Sequence, residues 1–371
     1  MNRLQVIKHV EICQDQHYNC FPSAIKQGDG TIVVGFRQAT DQRRNFGHNT
    51  HVDPTSKAVY VTSLNGETWE RPQIIYDDFF YGVQDPCLNL LKDGTIFATF
   101  FMWKVFDAAD VAQLEPSDHQ LFGKWVGRLD RVYSIRSTDG GATWDEPIPF
   151  PYQLVALRGC CVEMDDGSIL APLYGAAEAE RTEGVEGAGT SKVVIVRTED
   201  QGKTWTNWST IDGCDGYDFQ EPHLYQTESG KLVAFIRTHK KEIEPGQEAD
   251  RGPLYTSESL DNGKTWSRPQ ARPFYSESPF QAVRLQSGNV LLTYGYRHEP
   301  YGIRAAILDA ECNEINEAED IILREDGIST DIGYTSAVQF DDGRILITYY
   351  YYDTENSLRY IAGTICEEVV K

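Results

Sequence analysis

The chain has 371 residues, 40% of them hydrophobic and 12% aromatic, and a formal net charge of -22. That charge argues against nucleic acid or an anionic membrane surface as a partner, while a small anion would respond to local arginines and not to the average. Eight cysteines without a CxxC pair read as isolated thiols of a reducing compartment, and the first ten residues lack the apolar run of a leader or anchor, so the expected location is cytoplasmic with no membrane partner.

In chain order, Leu4–Cys13 comes first, an apolar stretch with no neighbour in sequence to pair with. Then one pattern recurs six times: an apolar run, a tight glycine turn, and a second apolar run. The turns are Asp29-Gly30-Thr31, Asp93-Gly94-Thr95, Asp166-Gly167-Ser168, Ser229-Gly230-Lys231, Ser287-Gly288-Asn289 and Asp342-Gly343-Arg344. Their glycines are 64, 73, 63, 58 and 55 residues apart. β-Branched runs on either side of Asp-Gly are a strong hairpin signal. The runs Ser23 to Phe36, Cys87 to Phe101, Cys160 to Tyr174, His223 to Arg237, Ala282 to Tyr296 and Ser336 to Tyr350 are nearly continuous in hydrophobicity, as inner strands covered on both faces should be. Cys160 and Cys161 fall in one such strand.

A second marker follows most hairpins. Ser137-Thr-Asp-Gly-Gly-Ala-Thr-Trp144 and Ser259-Leu-Asp-Asn-Gly-Lys-Thr-Trp266 fit S-x-D-x-G-x-T-W, and Thr198 to Trp205 fits with Thr for Ser. Thr62 to Trp69 keeps Gly and Trp but has Leu64 where the Asp belongs, and Leu308 to Asn313 is a trace. Asp and Ser side chains bond nearby backbone N–H groups, Gly supplies positive φ, and Trp packs on the sheet. Because these acids recur, they read as structural and not catalytic.

A repeat of this size predicts one all-β domain over residues 1–371: a six-bladed β-propeller of four-stranded antiparallel blades. The last unit is one strand short, so Leu4–Cys13 should close the ring.

The hairpins also act as a ruler. Nine residues before each turn glycine stand Phe21, Asp85, Arg158, Glu221, Pro279 and Tyr334; seven after stand Arg37, Phe101, Tyr174, Arg237, Gly295 and Tyr350. Both sets should ring one mouth of the axis, where convergent charges point to a site. Long connections at 38–57, 104–128, 176–191 and 238–253 open on the same end, as pocket walls do.

The repeated box is the Asp box, and with the six hairpins the whole chain resembles the sialidase (neuraminidase) superfamily. The resemblance implies a retaining exo-glycosidase acting on a terminal acidic sugar. By that likeness Tyr334 is similar to the nucleophile and Glu221 to the carboxylate that activates it. Asp53 resembles the loop acid and base, and Arg237 and Arg304 resemble arginines for the substrate carboxylate. The chain departs from the family at Cys20-Phe21-Pro22, where sialidases open the first blade with Arg-Ile-Pro. Arg37, Arg158 and Asp85 are added as substrate-binding candidates from the ruler, and Arg37, Arg43, Arg44 or Arg158 could reach the space of the absent arginine. No cofactor is expected, and no metal, since His48, His51 and Asp53 lack a regular element to fix ligand geometry. The expected partner is an acidic carbohydrate. A propeller lyase acting on a uronate and a non-catalytic glycan-binding propeller remain open beside hydrolysis, as do the sugar, its linkage and the oligomeric state.

Overall fold

The computed structural model describes residues 3–115, 118–153, 155–175, 192–214, 216–240 and 251–369. Six antiparallel sheets form the blades of a ring. The first holds His17–Lys26, Ile32–Thr40, Lys57–Ser63 and Gln73–Tyr76, and the second Tyr81–Leu90, Ile96–Asp107, Trp125–Ser137 and Ile148–Pro149. The third holds Val162–Glu163, Ile169–Gly175, Lys192–Thr198 and Thr206–Ile211, and the fourth Tyr217–Gln226, Leu232–Lys240, Pro253–Ser259 and Gln270–Tyr275. The fifth holds Phe280–Arg284, Val290–Tyr296, Tyr301–Leu308 and Ile321–Gly327. The sixth holds Gly333–Gln339, Ile345–Tyr351, Tyr360–Val369 and, as its outermost strand, Arg3–Cys13. The first strand thus closes the ring by pairing with the last, from Arg3 opposite Val369 to Cys13 opposite Ile361.

All six turn glycines take left-handed φ, between 79° at Gly167 and 91° at Gly343, which only glycine adopts without strain. The strands they join carry Val, Ile, Leu and Phe on both faces because each blade is covered by two others. The buried apolar residues accordingly fall into six clusters, one between each pair of adjacent blades. Burying each such side chain stabilises the ring by about 1.5–3 kcal/mol.

The Asp boxes close the turns at the far end of the blades. Asp139 accepts from the Thr143 amide (2.9 Å) and hydroxyl (2.6 Å), and Asp261 does the same for Thr265. The backbone of each box is also bonded to the preceding blade: Gly141 O by Tyr60 Oη, Gly202 O by Ser134 Oγ, and Gly263 O by Ser209 Oγ. In the first blade the box is one residue shorter than expected. Asn65, not Leu64, accepts from the Thr68 amide, Ser63 caps Gly66, and Leu64 points into solvent.

Two expectations about strands are corrected. In the second blade part of the 104–128 connection is sheet, Lys104–Asp107 pairing with Trp125–Arg128. In the third blade only Val162–Glu163 and an isolated bridge from Ala156 to Tyr174 remain of the inner strand. The chain at 157–161 is held by its neighbour instead: a Cβ on Gly159 would lie 1.7 Å from the Pro222 carbonyl oxygen. Cys160 and Cys161 therefore precede the strand. Among the described residues no helix is long and apolar enough to cross a membrane.

Candidate functional site

Four inner strands carry the same irregularity at the same place. Their ladders slip between Cys20 and Ser23, Gln84 and Cys87, Gln220 and His223, and Gly333 and Ser336. At each slip a non-glycine residue takes positive φ: Phe21 58°, Asp85 48°, Glu221 43° and Tyr334 53°. A β-bulge re-aims a side chain, and a left-handed non-glycine costs on the order of 1–3 kcal/mol. Four such residues around one axis place four side chains that regular strands would have put elsewhere. They are the residues counted nine back from the turn glycines.

Three charged or polar groups meet there. The Tyr334 hydroxyl donates to Glu221 Oε1, and Arg237 Nη1 donates to Glu221 Oε2. The same Nη1 lies 3.3 Å from the Tyr334 oxygen. The Arg158 and Arg297 guanidiniums lie 5.2 and 5.3 Å from the Tyr334 ring centre. Burial pushes the Glu221 carboxyl up, but the Arg237 charge, the Tyr334 hydroxyl and Arg297 outweigh it, so it lies below its ordinary value and stays ionised. Burial, followed by the Glu221 charge, raises the Tyr334 phenol well above its usual range. A neutral phenol sharing its proton with a carboxylate can act as a nucleophile as that proton leaves.

Asp85 behaves oppositely. Burial, only partly offset by Arg158 and reinforced by Glu221, raises its carboxyl to about 8, and its Oδ1 has no hydrogen-bond partner. It is largely neutral at pH 7. With Asp85 neutral, the cations Arg158, Arg237 and Arg297 around Tyr334 outnumber the ionised acids Glu221 and Asp331 among the described residues there, a local positive excess within a chain of charge -22.

The remaining candidates are distributed as follows. Arg158 Nη2 donates to Pro22 O of the first blade at 2.7 Å. Arg37 is fully buried, donating to Cys20 Sγ at 3.4 Å and Thr50 O at 3.1 Å. Asp53 is 2% exposed, and its Oδ1 accepts from the Thr55 amide and hydroxyl, both at 2.8 Å. None of its hydrogen bonds reaches Glu221, Arg237 or Tyr334. Arg304 lies on the third strand of its blade and stacks 4.6 Å over the Tyr296 ring. The arginine brought to Tyr334 from that blade is Arg297, just past the second strand, fixed by Ile332 O (3.0 Å), Glu277 O (3.1 Å) and Tyr350 Oη (2.9 Å).

A model of the BNR repeat-like domain matches residues 55–347. The chain belongs to that family. A search of curated proteins returned no match. Among solved structures, this BNR-repeat propeller is similar to a Dyadobacter fermentans protein of unknown function at 34% identity, covering 98% of this chain and 99% of that one with a TM-score of 0.85. It shares its fold with the Ruminococcus gnavus intramolecular trans-sialidase (14% identity, 95% and 94% covered, TM-score 0.59). It also shares it with a Penicillium chrysogenum α-L-arabinanase (14% identity, 97% and 98% covered, TM-score 0.66).

The structure adds residues that sequence reasoning missed. Arg297 stands nine after its turn glycine, two beyond the position counted, because the second strand of the fifth blade runs on past Gly295. His51 and Asp331 meet at 3.1 Å from loops 280 residues apart, and no spacing foretells that. Of the long connections, 176–191 and 241–250 lie outside the described residues.

Proposed function

We propose that this BNR-repeat propeller is a retaining exo-glycosidase that removes a terminal acidic sugar, with Tyr334 as nucleophile and Glu221 as its base. The observation that carries this is the Tyr334–Glu221–Arg237 contact at the axis, made by two bulged residues and an arginine of the strand paired with one of them. In the first step Tyr334 Oη bonds to the anomeric carbon as the glycosidic bond breaks, its proton passing to Glu221. In the second, water displaces the tyrosine, which recovers its proton from Glu221. Glycosidases with a tyrosine nucleophile are an established exception to the two-carboxylate scheme. A neutral phenol approaches a carbon beside a carboxylate with less repulsion than an aspartate would.

The acidic substrate is supported by the cationic excess around Tyr334. Arginine suits a carboxylate because its donors form a planar fork. With Cys20 where sialidases have an arginine, the sugar is a nonulosonic acid, Kdo or a uronic acid, held by Arg237 and Arg297 with Arg158 behind them.

The test is turnover of 4-nitrophenyl glycosides of N-acetylneuraminic acid, Kdo, glucuronic acid and, as a neutral control, L-arabinofuranose. Hydrolysis of an acidic member with net retention is expected, and Tyr334→Phe should lower kcat by at least ~10³-fold. Unchanged turnover in Tyr334→Phe would refute the mechanism. Turnover of the arabinofuranoside alone would refute the acidic substrate, and an unsaturated product absorbing in the ultraviolet would mark a lyase. Binding across the acidic panel without turnover would mark a lectin.

A further inference from the structure

A glycosidase needs a group that protonates the leaving oxygen and later takes a proton from water. Asp53 has the wrong surroundings for it: its carboxylate closes a turn on Thr55 and it is 2% exposed. His51, two residues earlier, has the right ones.

The His51 ring packs edge-on against Phe21 at 4.8 Å, and Phe21 packs against Tyr334 at 4.6 Å. One aromatic ring therefore separates the imidazole from the nucleophile, and that ring follows Cys20, the residue standing in place of the missing arginine. The His51 side chain is 42% exposed, so it meets solvent and any ligand at the mouth. Its Nε2 lies 3.1 Å from Asp331 Oδ1 and 3.0 Å from Tyr18 Oη. Asp331 also accepts from Tyr18 Oη at 2.6 Å and Tyr350 Oη at 2.8 Å, and pairs with Arg359 at 3.0 Å. Burial works against the Asp331 charge, but His51, Arg359 and the Tyr18 hydroxyl hold its carboxyl well below the usual range. An ionised carboxylate can only accept, so Nε2 carries a hydrogen and Nδ1 is left as the exchanging nitrogen. Among the described residues nothing bonds Nδ1.

We propose that His51 is the catalytic acid and base of this site and that Asp331 is the residue that positions it. Resting on the glycosidase function above, the chemistry balances. The imidazolium gives its Nδ1 proton to the leaving oxygen as the tyrosyl–sugar bond forms. The neutral ring then takes a proton from the attacking water as that bond breaks, restoring the imidazolium. Asp331 keeps its charge throughout, fixing the tautomer and stabilising the cation. Phe21 serves as the apolar wall on which the imidazole rests.

The experiment compares 4-nitrophenyl and methyl α-glycosides of N-acetylneuraminic acid, or of whichever acid the panel selects. The nitrophenolate leaves without a proton and the methoxide does not. His51→Gln should lower kcat/KM on the methyl glycoside by on the order of 10²–10⁴-fold and much less on the aryl glycoside, with azide restoring aryl turnover as a glycosyl azide. Asp331→Asn should fall in the same substrate-dependent way, and Asp53→Asn should affect both glycosides alike. Nitrogen-15 spectra of the imidazoles should show His51 as the Nε2–H tautomer in the wild type and not in Asp331→Asn. Thermal unfolding checks that each variant is folded. Equal losses on both glycosides in His51→Gln, leaving-group dependence in Asp53→Asn, or an Nδ1–H tautomer in the wild type would overturn the assignment while leaving Tyr334 in place. Absence of any glycoside turnover by the wild type would fell the glycosidase function and this assignment with it.

Discussion

The molecule carries acids in two settings that teach opposite lessons. At the far end of the blades, Asp139 and Asp261 sit in open turns where the hydroxyl and amide of the threonine four residues on hold their carboxyls down at about 2. At the mouth of the axis, Asp85 and Glu221 are buried at strained bulges, one raised to about 8 and the other kept ionised by Arg237. The box aspartates recur because every blade needs its turn closed. The axial acids differ from blade to blade because a ring has one axis, and each blade contributes one residue to it. Recurrence marks structure, and its failure marks the site.

The comparison is sharpened first at Glu221. Glu221→Gln keeps the shape but removes the charge that receives the Tyr334 proton, and kcat should fall by about 10²–10⁴-fold with a smaller change in KM, measured on the aryl glycoside. Retention of full activity would place Glu221 with the structural acids. Stability should follow its own pH course: a carboxyl held below its ordinary value stabilises the fold above that value, and this is lost as pH falls.

Asp85 carries the reverse sign. Its folded-state value of about 8 lies above the ordinary 3.8, so its contribution is fully present below pH ~4 and is lost as pH rises towards 8. Asp85→Asn removes that dependence. The melting temperature of the variant relative to wild type should climb between pH 5 and 8, by on the order of 3 °C. A difference independent of pH would show that Asp85 is ionised throughout.

The smallest effect is expected at a box. Asp139→Ala removes the acceptor for Thr143 and should lower the melting temperature by no more than a few degrees, with kcat and KM within about twofold of wild type. Loss of activity without loss of stability would break the division between the two kinds of acid.

Much of this was legible in the chain. The glycine turns and boxes are local devices whose hydrogen bonds close within a few residues, so their spacing carried the blade count, the closing strand and the aligned mouth residues Asp85, Arg158, Glu221, Arg237 and Tyr334. In the shortened box at Ser63–Trp69, counting back from Gly66 and Trp69 lands on Leu64, because the residue missing between Asn65 and Gly66 shifts every position before it by one. Arg297 has no such local signal: the likeness points to Arg304 alone, and Arg297 comes to Tyr334 because the second strand of the fifth blade ends at Tyr296, one residue before it.

By itself, then, the sequence determined the propeller and which residues face its axis, because both follow from short-range turn chemistry repeated at regular intervals. Only the tertiary structure decided how those residues pair. The bulge that turns Tyr334 onto Glu221 and the meeting of His51 with Asp331 depend on contacts between blades, among segments 113 and 280 residues apart. Such contacts have no period, and so leave no local signature to count.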